Sequence, residues 1–165
     1  MNVVCMDRLL KKGEIKMLIN KVGDLLKAEE NLICHQVNTW GVMGGGLALQ
    51  VAKSYPKVEE EYSNLAKTFG TNMLGDYQHC KIGDRKYIIN CFTQDGFDTD
   101  YRALEQVFTA LLDSCKSSNF TIAIPYKYGC GIANGDWNKV TEMLERISNE
   151  FGIDINIYKL EEINE

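Results

Sequence analysis

Three consecutive glycines, Gly44-Gly45-Gly46, stand between an apolar run and a stretch of helical composition. Residues 31–37 (NLICHQV) read as a short buried strand, and residues 47–54 (LALQVAKS) as a helix. A chain that passes from strand to helix through VNTWGVMGGG exposes successive backbone N–H groups, and no Cβ keeps a ligand at a distance. The N-terminus of the following helix adds a positive dipole end. That arrangement suits a phosphate or diphosphate. It is not a Walker loop, because no Gly-Lys-Ser/Thr follows. A second loop, PYKYGCGIANGDW over residues 125–137, leaves another strand-like run and enters another helix. Seven of the 14 glycines lie in these two segments. Together the two loops can clamp an extended diphosphate from both sides.

The remaining periodicities alternate in type. Residues 15–22, 120–124 and 153–158 read as strands, and residues 77–82 and 86–92 as a hairpin around Gly83-Asp84. Residues 57–69, 101–115 and 136–151 place apolar side chains at helical spacing. Strands separated by helical crossovers predict an α/β layered sheet with its ligand loops beyond the C-terminal strand ends. Two prolines, no low-complexity tract and no internal repeat predict one domain over residues 1–165, with residues 1–13 as a loosely attached leader.

Composition narrows the partners. The formal charge is −5, which disfavours a broad nucleic-acid-binding face but leaves room for a small anion held by uncharged amides. No apolar run reaches the ~20 residues of a membrane span. The first sixteen residues lack the apolar centre of a signal peptide. The six cysteines form no C-x-x-C pair, so a structural zinc site lacks its usual spacing, and they read as reduced thiols of a cytoplasmic protein rather than as a disulfide framework.

Several side chains near the loops have two readings each. Asp24 follows a strand end, where it suits either a turn N-cap or a hydrogen bond to an exocyclic amine. His35 is either a satisfied core residue or, if it faces the ligand, a group whose pKa near neutrality suits proton transfer or phosphate contact. Trp40 is either a hydrophobic anchor or a stacking surface. Asp136 reads first as the N-cap of the last helix.

Gly23-Asp24-Leu25-Leu26 after a strand, then ICHQVNTWGVMGGGLALQVAKSYP, then IPYKYGCGIANGDW, then a final strand ending in Tyr158, resemble the macro domain family in order and spacing over residues 15–160. The resemblance implies a three-layer α/β/α fold with a central mixed, largely parallel sheet. It implies ADP-ribose, or a phosphorylated derivative of it, as the ligand, and no cofactor or metal. By that resemblance Asp24 and Leu25 meet the adenine, and Asn38 holds the distal ribose. Gly44, Gly45, Gly46 and Leu47 form the first diphosphate loop. Gly129, Cys130, Gly131, Ile132, Ala133 and Asn134 form the second, and Tyr158 covers the adenine.

Within the family, VNTWGVMGGGLALQ looks like the branch of the terminal ADP-ribose protein glycohydrolase and the DNA ADP-ribosyl glycohydrolase antitoxin. The nucleophilic lysine of that branch is Gln94 here, and the second-loop aspartate of one member is Ala133. Glutamine cannot form the Schiff base that lysine chemistry requires. SYPKVEEEYSNLAKTFGTNMLG and the first loop are similar to the yeast-type ADP-ribose 1″-phosphate phosphatases. In those, a histidine precedes the loop at the spacing of His35. That match implies catalytic roles for His35 and Asn38: His35 as acid/base or phosphate polariser, Asn38 as the residue that orients the ribose and the attacking water. The alternatives are a non-catalytic ADP-ribose reader, or a glycohydrolase or deacetylase that works without lysine.

Overall fold

The computed structural model describes residues 17–161. Seven strands form one sheet: β1 (Leu18–Val22), β2 (Leu32–Asn38), β3 (Tyr77–Gly83), β4 (Lys86–Asp95), β5 (Asp98–Thr99), β6 (Ile122–Pro125) and β7 (Ile155–Lys159). Their order is β1-β7-β6-β2-β4-β3, with β5 added to the end of β4. All pairings from β1 to β4 are parallel, and β3 and β5 pair with β4 antiparallel. Among the described residues four α-helices flank the sheet: α1 (Gly46–Ser54), α2 (Pro56–Phe69), α3 (Tyr101–Ser118) and α4 (Trp137–Phe151).

Alternation along β2 sets the layers. Leu32 and Cys34 enter a core with Leu104, Phe108 and Leu111 of α3 and Val140 and Leu144 of α4. Ile33 and Val37 enter the opposite core with Val51 of α1 and Val58, Tyr62 and Ala66 of α2. Period-2 strands between period-3.6 helices therefore close two apolar layers on one sheet. The expected three-layer α/β/α fold with a mixed, largely parallel sheet is the one observed. Asp100 and Asp136 cap the N-termini of α3 and α4, Asp136 accepting from the backbone N–H groups of Asn138 and Lys139.

Apart from shifts of a single residue, four boundaries differ from the expected ones for local reasons. The strand expected from residue 120 begins at Ile122, because Asn31 Oδ1 takes the Thr121 N–H at 2.9 Å. The last strand begins at Ile155, because left-handed Gly152 and then Ile153 both donate to Ser148 O and finish α4. Helix α3 runs three residues past Cys115, to the left-handed cap Asn119. Strand β4 continues to Asp95 because a turn at Gly96 folds β5 back on it. Residues 15–16, the expected leader and Cys5 lie outside the described residues.

Adjacent strands β2 and β6 send their following helices to opposite faces, α1 and α2 to one and α4 to the other. A crevice opens at the C-terminal ends of strands wherever connections diverge in this way. Here both glycine loops leave from that point. Among the described residues no helix is long and apolar enough to cross a membrane.

Candidate functional site

Loops from three neighbouring strands, β6, β2 and β4, line one cleft of about 440 Å³. The β2 loop contributes Asn38, Trp40, Val42 and Gly44–Leu47. The β6 loop contributes Tyr126–Gly129 and Gly131–Ala133, and the end of β4 contributes Gln94 and Phe97. The structure thus brings together the two glycine segments that lie about eighty residues apart in the sequence.

The first loop is built around Asn38. Its Oδ1 accepts from Trp40 N at 3.0 Å and from the Tyr62 hydroxyl at 2.6 Å, and its Nδ2 donates to Val42 O at 3.1 Å. The Tyr62 hydroxyl also lies 2.8 Å from Asn38 O, so its one hydrogen is shared between the two oxygens, and one Nδ2 hydrogen remains for a ligand. Burial pushes the Tyr62 phenol up to about 12, which keeps it a donor. Gly45 is the N-cap of α1 and brings no side chain to the cap. The first-turn N–H groups of α1 therefore face the cleft without an internal side-chain acceptor. A Cβ on Gly45 would stand 3.3 Å from Ile132 Cδ1 of the other loop.

The second loop is fixed from outside itself. Thr99, in β5, donates its N–H to Ala133 O at 2.9 Å and its hydroxyl to Gly129 O at 2.6 Å. The register of β2 and β4 slips after Val37, so that Thr93 becomes an extra residue on β4. The Thr93 hydroxyl lies 2.6 Å from Tyr128 Oη, and Gln36 Nε2 reaches the hydroxyls of Thr93 and Thr99, each at 3.1 Å. Bulges re-aim side chains beside functional sites in this way. Gly135 has no room for a side chain: a Cβ there would stand 2.4 Å from Gly129 O.

The cleft contrasts with the acidic chain around it. Lys127 is the only charged side chain among the described residues that line it, and no carboxylate does. An anion there meets amide N–H groups and one ammonium. Four exposed apolar side chains form the rim: Trp40, Val42, Phe97 and Ile132. The rings of Trp40 and Phe97 meet edge to face at 5.3 Å.

His35 lies under the cleft floor, 1% exposed, with Nε2 2.6 Å from Asn90 Oδ1. Desolvation lowers its pKa to about 4, against a weaker opposing effect of the Asn90 bond. The expected titration near neutrality is corrected accordingly: the ring is neutral at physiological pH. Gln94 donates to Gly96 O at 3.0 Å.

Other expected site residues lie outside this lining. Asp24 caps the short 3-10 turn Leu25–Lys27 by accepting from Leu26 N, and it borders a separate depression with Gln50, Lys53 and Tyr55. Leu25 is buried in the core below that turn. Tyr158 is buried on the α1–α2 face, its hydroxyl donating to the Glu30 carboxylate, which also holds Lys21 at 2.7 Å. Cys130 is half-buried with its Sγ directed at Tyr128 O, and burial raises its thiol pKa. Asn134 adopts a left-handed turn that donates its N–H to Gly131 O. Gln36, Phe97, Thr99, Lys127 and Tyr128 were not anticipated. Two of them, Lys127 and Tyr128, stand inside the quoted second-loop motif, where their residue types were the available signal. The described cysteines, Cys34, Cys80, Cys91, Cys115 and Cys130, are free thiols.

A curled mixed sheet between two helical layers, with glycine loops of neighbouring strands closing on one cleft, defines a macrodomain. Comparison with known proteins places the chain there. It matches the macrodomain of Mycobacterium tuberculosis DarG with a TM-score of 0.76 and 27% identity, over 87% of this chain and 97% of that one. It is 42% identical over 55 residues to the ADP-ribose 1″-phosphate phosphatase of Candida glabrata, a match covering 32% of this chain and 31% of that protein. It is 30% identical over 132 residues to the DNA ADP-ribosyl glycohydrolase of Mycobacterium tuberculosis, covering 74% of this chain and 36% of that protein. The matches to these two proteins thus span about a third of the length of each. No model of a known protein family matches the chain. The chain has the macrodomain fold, and part of its sequence is similar to these phosphatases and glycohydrolases.

Proposed function

We propose that the protein binds ADP-ribose in this cleft and hydrolyses the terminal phosphate of ADP-ribose 1″-phosphate. The observation that carries the reading is the convergence of two glycine loops and the N-terminus of α1 on one cleft that no carboxylate of the described residues lines. Main-chain N–H groups aimed at a diphosphate, and at the charge that builds on a transferring phosphoryl group, supply electrostatic stabilisation without metal-ligand chemistry of the protein's own. The similarity to proteins named ADP-ribose 1″-phosphate phosphatase supports the substrate. In this reading Asn38 uses its remaining Nδ2 hydrogen on the distal ribose, and Lys127 adds charge at the mouth.

A second reading is a non-catalytic ADP-ribose reader. Gln94 favours it, since an amide held by Gly96 O replaces the branch's nucleophilic amine. Glycohydrolase action by the lysine route is disfavoured for the same reason. Incubation of the full chain with ADP-ribose 1″-phosphate decides between the two main readings. Steady phosphate release, lowered at least tenfold by His35→Ala, supports the phosphatase. Binding of ADP-ribose in calorimetry with no turnover leaves the reader. Absence of both binding and turnover removes the ADP-ribose assignment.

A further inference from the structure

Behind the cleft a row of buried amides runs across the sheet to His35. At its far end Gln78 Nε2 donates to the backbone carbonyl of Glu61, at 3.2 Å. A carbonyl oxygen only accepts, so the orientation of the Gln78 amide is decided: nitrogen toward Glu61, oxygen toward Asn90. Asn90 then presents Nδ2 to Gln78 Oε1, at 3.1 Å, which leaves its Oδ1 facing His35 Nε2 at 2.6 Å. An acceptor at that distance requires a proton on Nε2. The other tautomer would set lone pair against lone pair, and flipping both amides to relieve that would turn Gln78 Oε1 onto the Glu61 carbonyl.

The consequence falls on the other ring nitrogen. His35 Nδ1 is the one buried side-chain nitrogen or oxygen among the described residues without a hydrogen-bond partner, and His35 belongs to the cleft lining. Its ring is neutral, so Nδ1 carries a lone pair and no hydrogen. Such an atom repels a phosphate oxygen and attracts an O–H. We propose that Gln78 and Asn90 are positioning residues that lock His35 in its Nε2–H tautomer, so that the ring meets the cleft as a hydrogen-bond acceptor for a water or sugar hydroxyl and not as a donor to phosphate. The tautomer follows from the amide row alone, and only the identity of the hydroxyl rests on the ADP-ribose reading. The phosphate subsite is thereby assigned to the loop amides and the hydroxyl subsite to His35, which separates two roles that the sequence resemblance leaves together.

Nitrogen-15 NMR of the full chain tests this. The chain has two histidines, and His79→Gln identifies the signals of His35. In the ligand-free protein between pH 6 and 8, Nε2 is expected at the protonated, pyrrole-type position and Nδ1 at the pyridine-type position. A protonated Nδ1 with a bare Nε2 overturns the proposal. Gln78→Met removes the link to Glu61, and His35 should then show averaged signals of both tautomers. A single unchanged Nε2–H tautomer in a folded Gln78→Met protein removes Gln78 from the positioning role. If that variant does not fold, the wild-type tautomer still decides. Addition of ADP-ribose should move Nδ1 toward the hydrogen-bonded pyridine-type position when a sugar hydroxyl supplies the donor. An Nδ1 already hydrogen-bonded before addition identifies a water and supports the acceptor role equally. Inorganic phosphate that protonates Nδ1 would overturn it. Failure of ADP-ribose to bind a protein that shows the Nε2–H tautomer counts against the proposed function and leaves the amide row standing.

Discussion

At the scale of the residue, the glycines of the second loop divide into those required by the protein and one that is not. A Cβ on Gly135 would strike Gly129 O, and Gly129 combines a φ of +72° with the Thr99 hydroxyl 2.9 Å from its Cβ position. Gly131 has ordinary backbone geometry, and no atom lies within 4 Å of where its Cβ would stand. Gly131 also belongs to the cleft lining. Gly131→Ala is therefore expected to leave the melting temperature unchanged while lowering ADP-ribose affinity at least tenfold, read by thermal unfolding and calorimetry. Gly135→Ala should instead lower the melting temperature. Equal affinity in Gly131→Ala would move the diphosphate away from this loop. Much at this scale was legible in the sequence: the glycine segments, and the N-cap roles of Asp24 and Asp136. The surroundings of His35 were not, because the burial that sets its protonation comes from α1, α2 and β4, brought together only by folding.

At the scale of the element, the second loop is held by a strand of two residues. β5 is too short to show any periodicity, and Thr99 carries no sequence signal of its own role. Its side chain nevertheless supplies a hydroxyl that joins the Gly135 N–H on Gly129 O, and Gln36 and Thr93 tie the same point to β2 and β4. Thr99→Val keeps the shape and removes that hydroxyl, leaving Gly129 O with the Gly135 N–H alone, at a cost of about 0.5–1.5 kcal/mol. The expected outcome is a drop of that size in urea unfolding, with faster amide hydrogen exchange across residues 129–135. Exchange unchanged in that segment would show that β5 does not set the loop. The long elements, by contrast, were readable to within a few residues, because helices and paired strands repeat their pattern often enough to be counted. The misplaced boundaries fell where a side chain such as Asn31 competes for a backbone group, or where a left-handed residue ends a helix.

At the scale of the whole molecule, the buried histidine makes folding depend on pH. The folded pKa of about 4 lies below the unfolded value of 6.5, so between the two the unfolded chain binds more protons. Stability contributed by neutral His35 is fully present above pH 6.5 and is lost as pH falls toward 4, up to about 3 kcal/mol. Urea titrations at pH 7.5 and 4.5 should show the decline, and His35→Gln should flatten it. An equal slope in that variant would place the proton uptake elsewhere. The order of the strands was not legible from local pattern, since β6 and β7 find their places through contacts far apart in the chain. The divergence of connections at β2 and β6, which opens the cleft, is a property of that order. One consequence concerns inheritance. Groups that belong to the main chain are present whatever side chains mutation installs, provided the loops keep their path. A lineage can therefore rewrite most of its residues, as the 27% identity at a TM-score of 0.76 illustrates, while the trace of the polypeptide, and with it the aim of the loop amides, is kept.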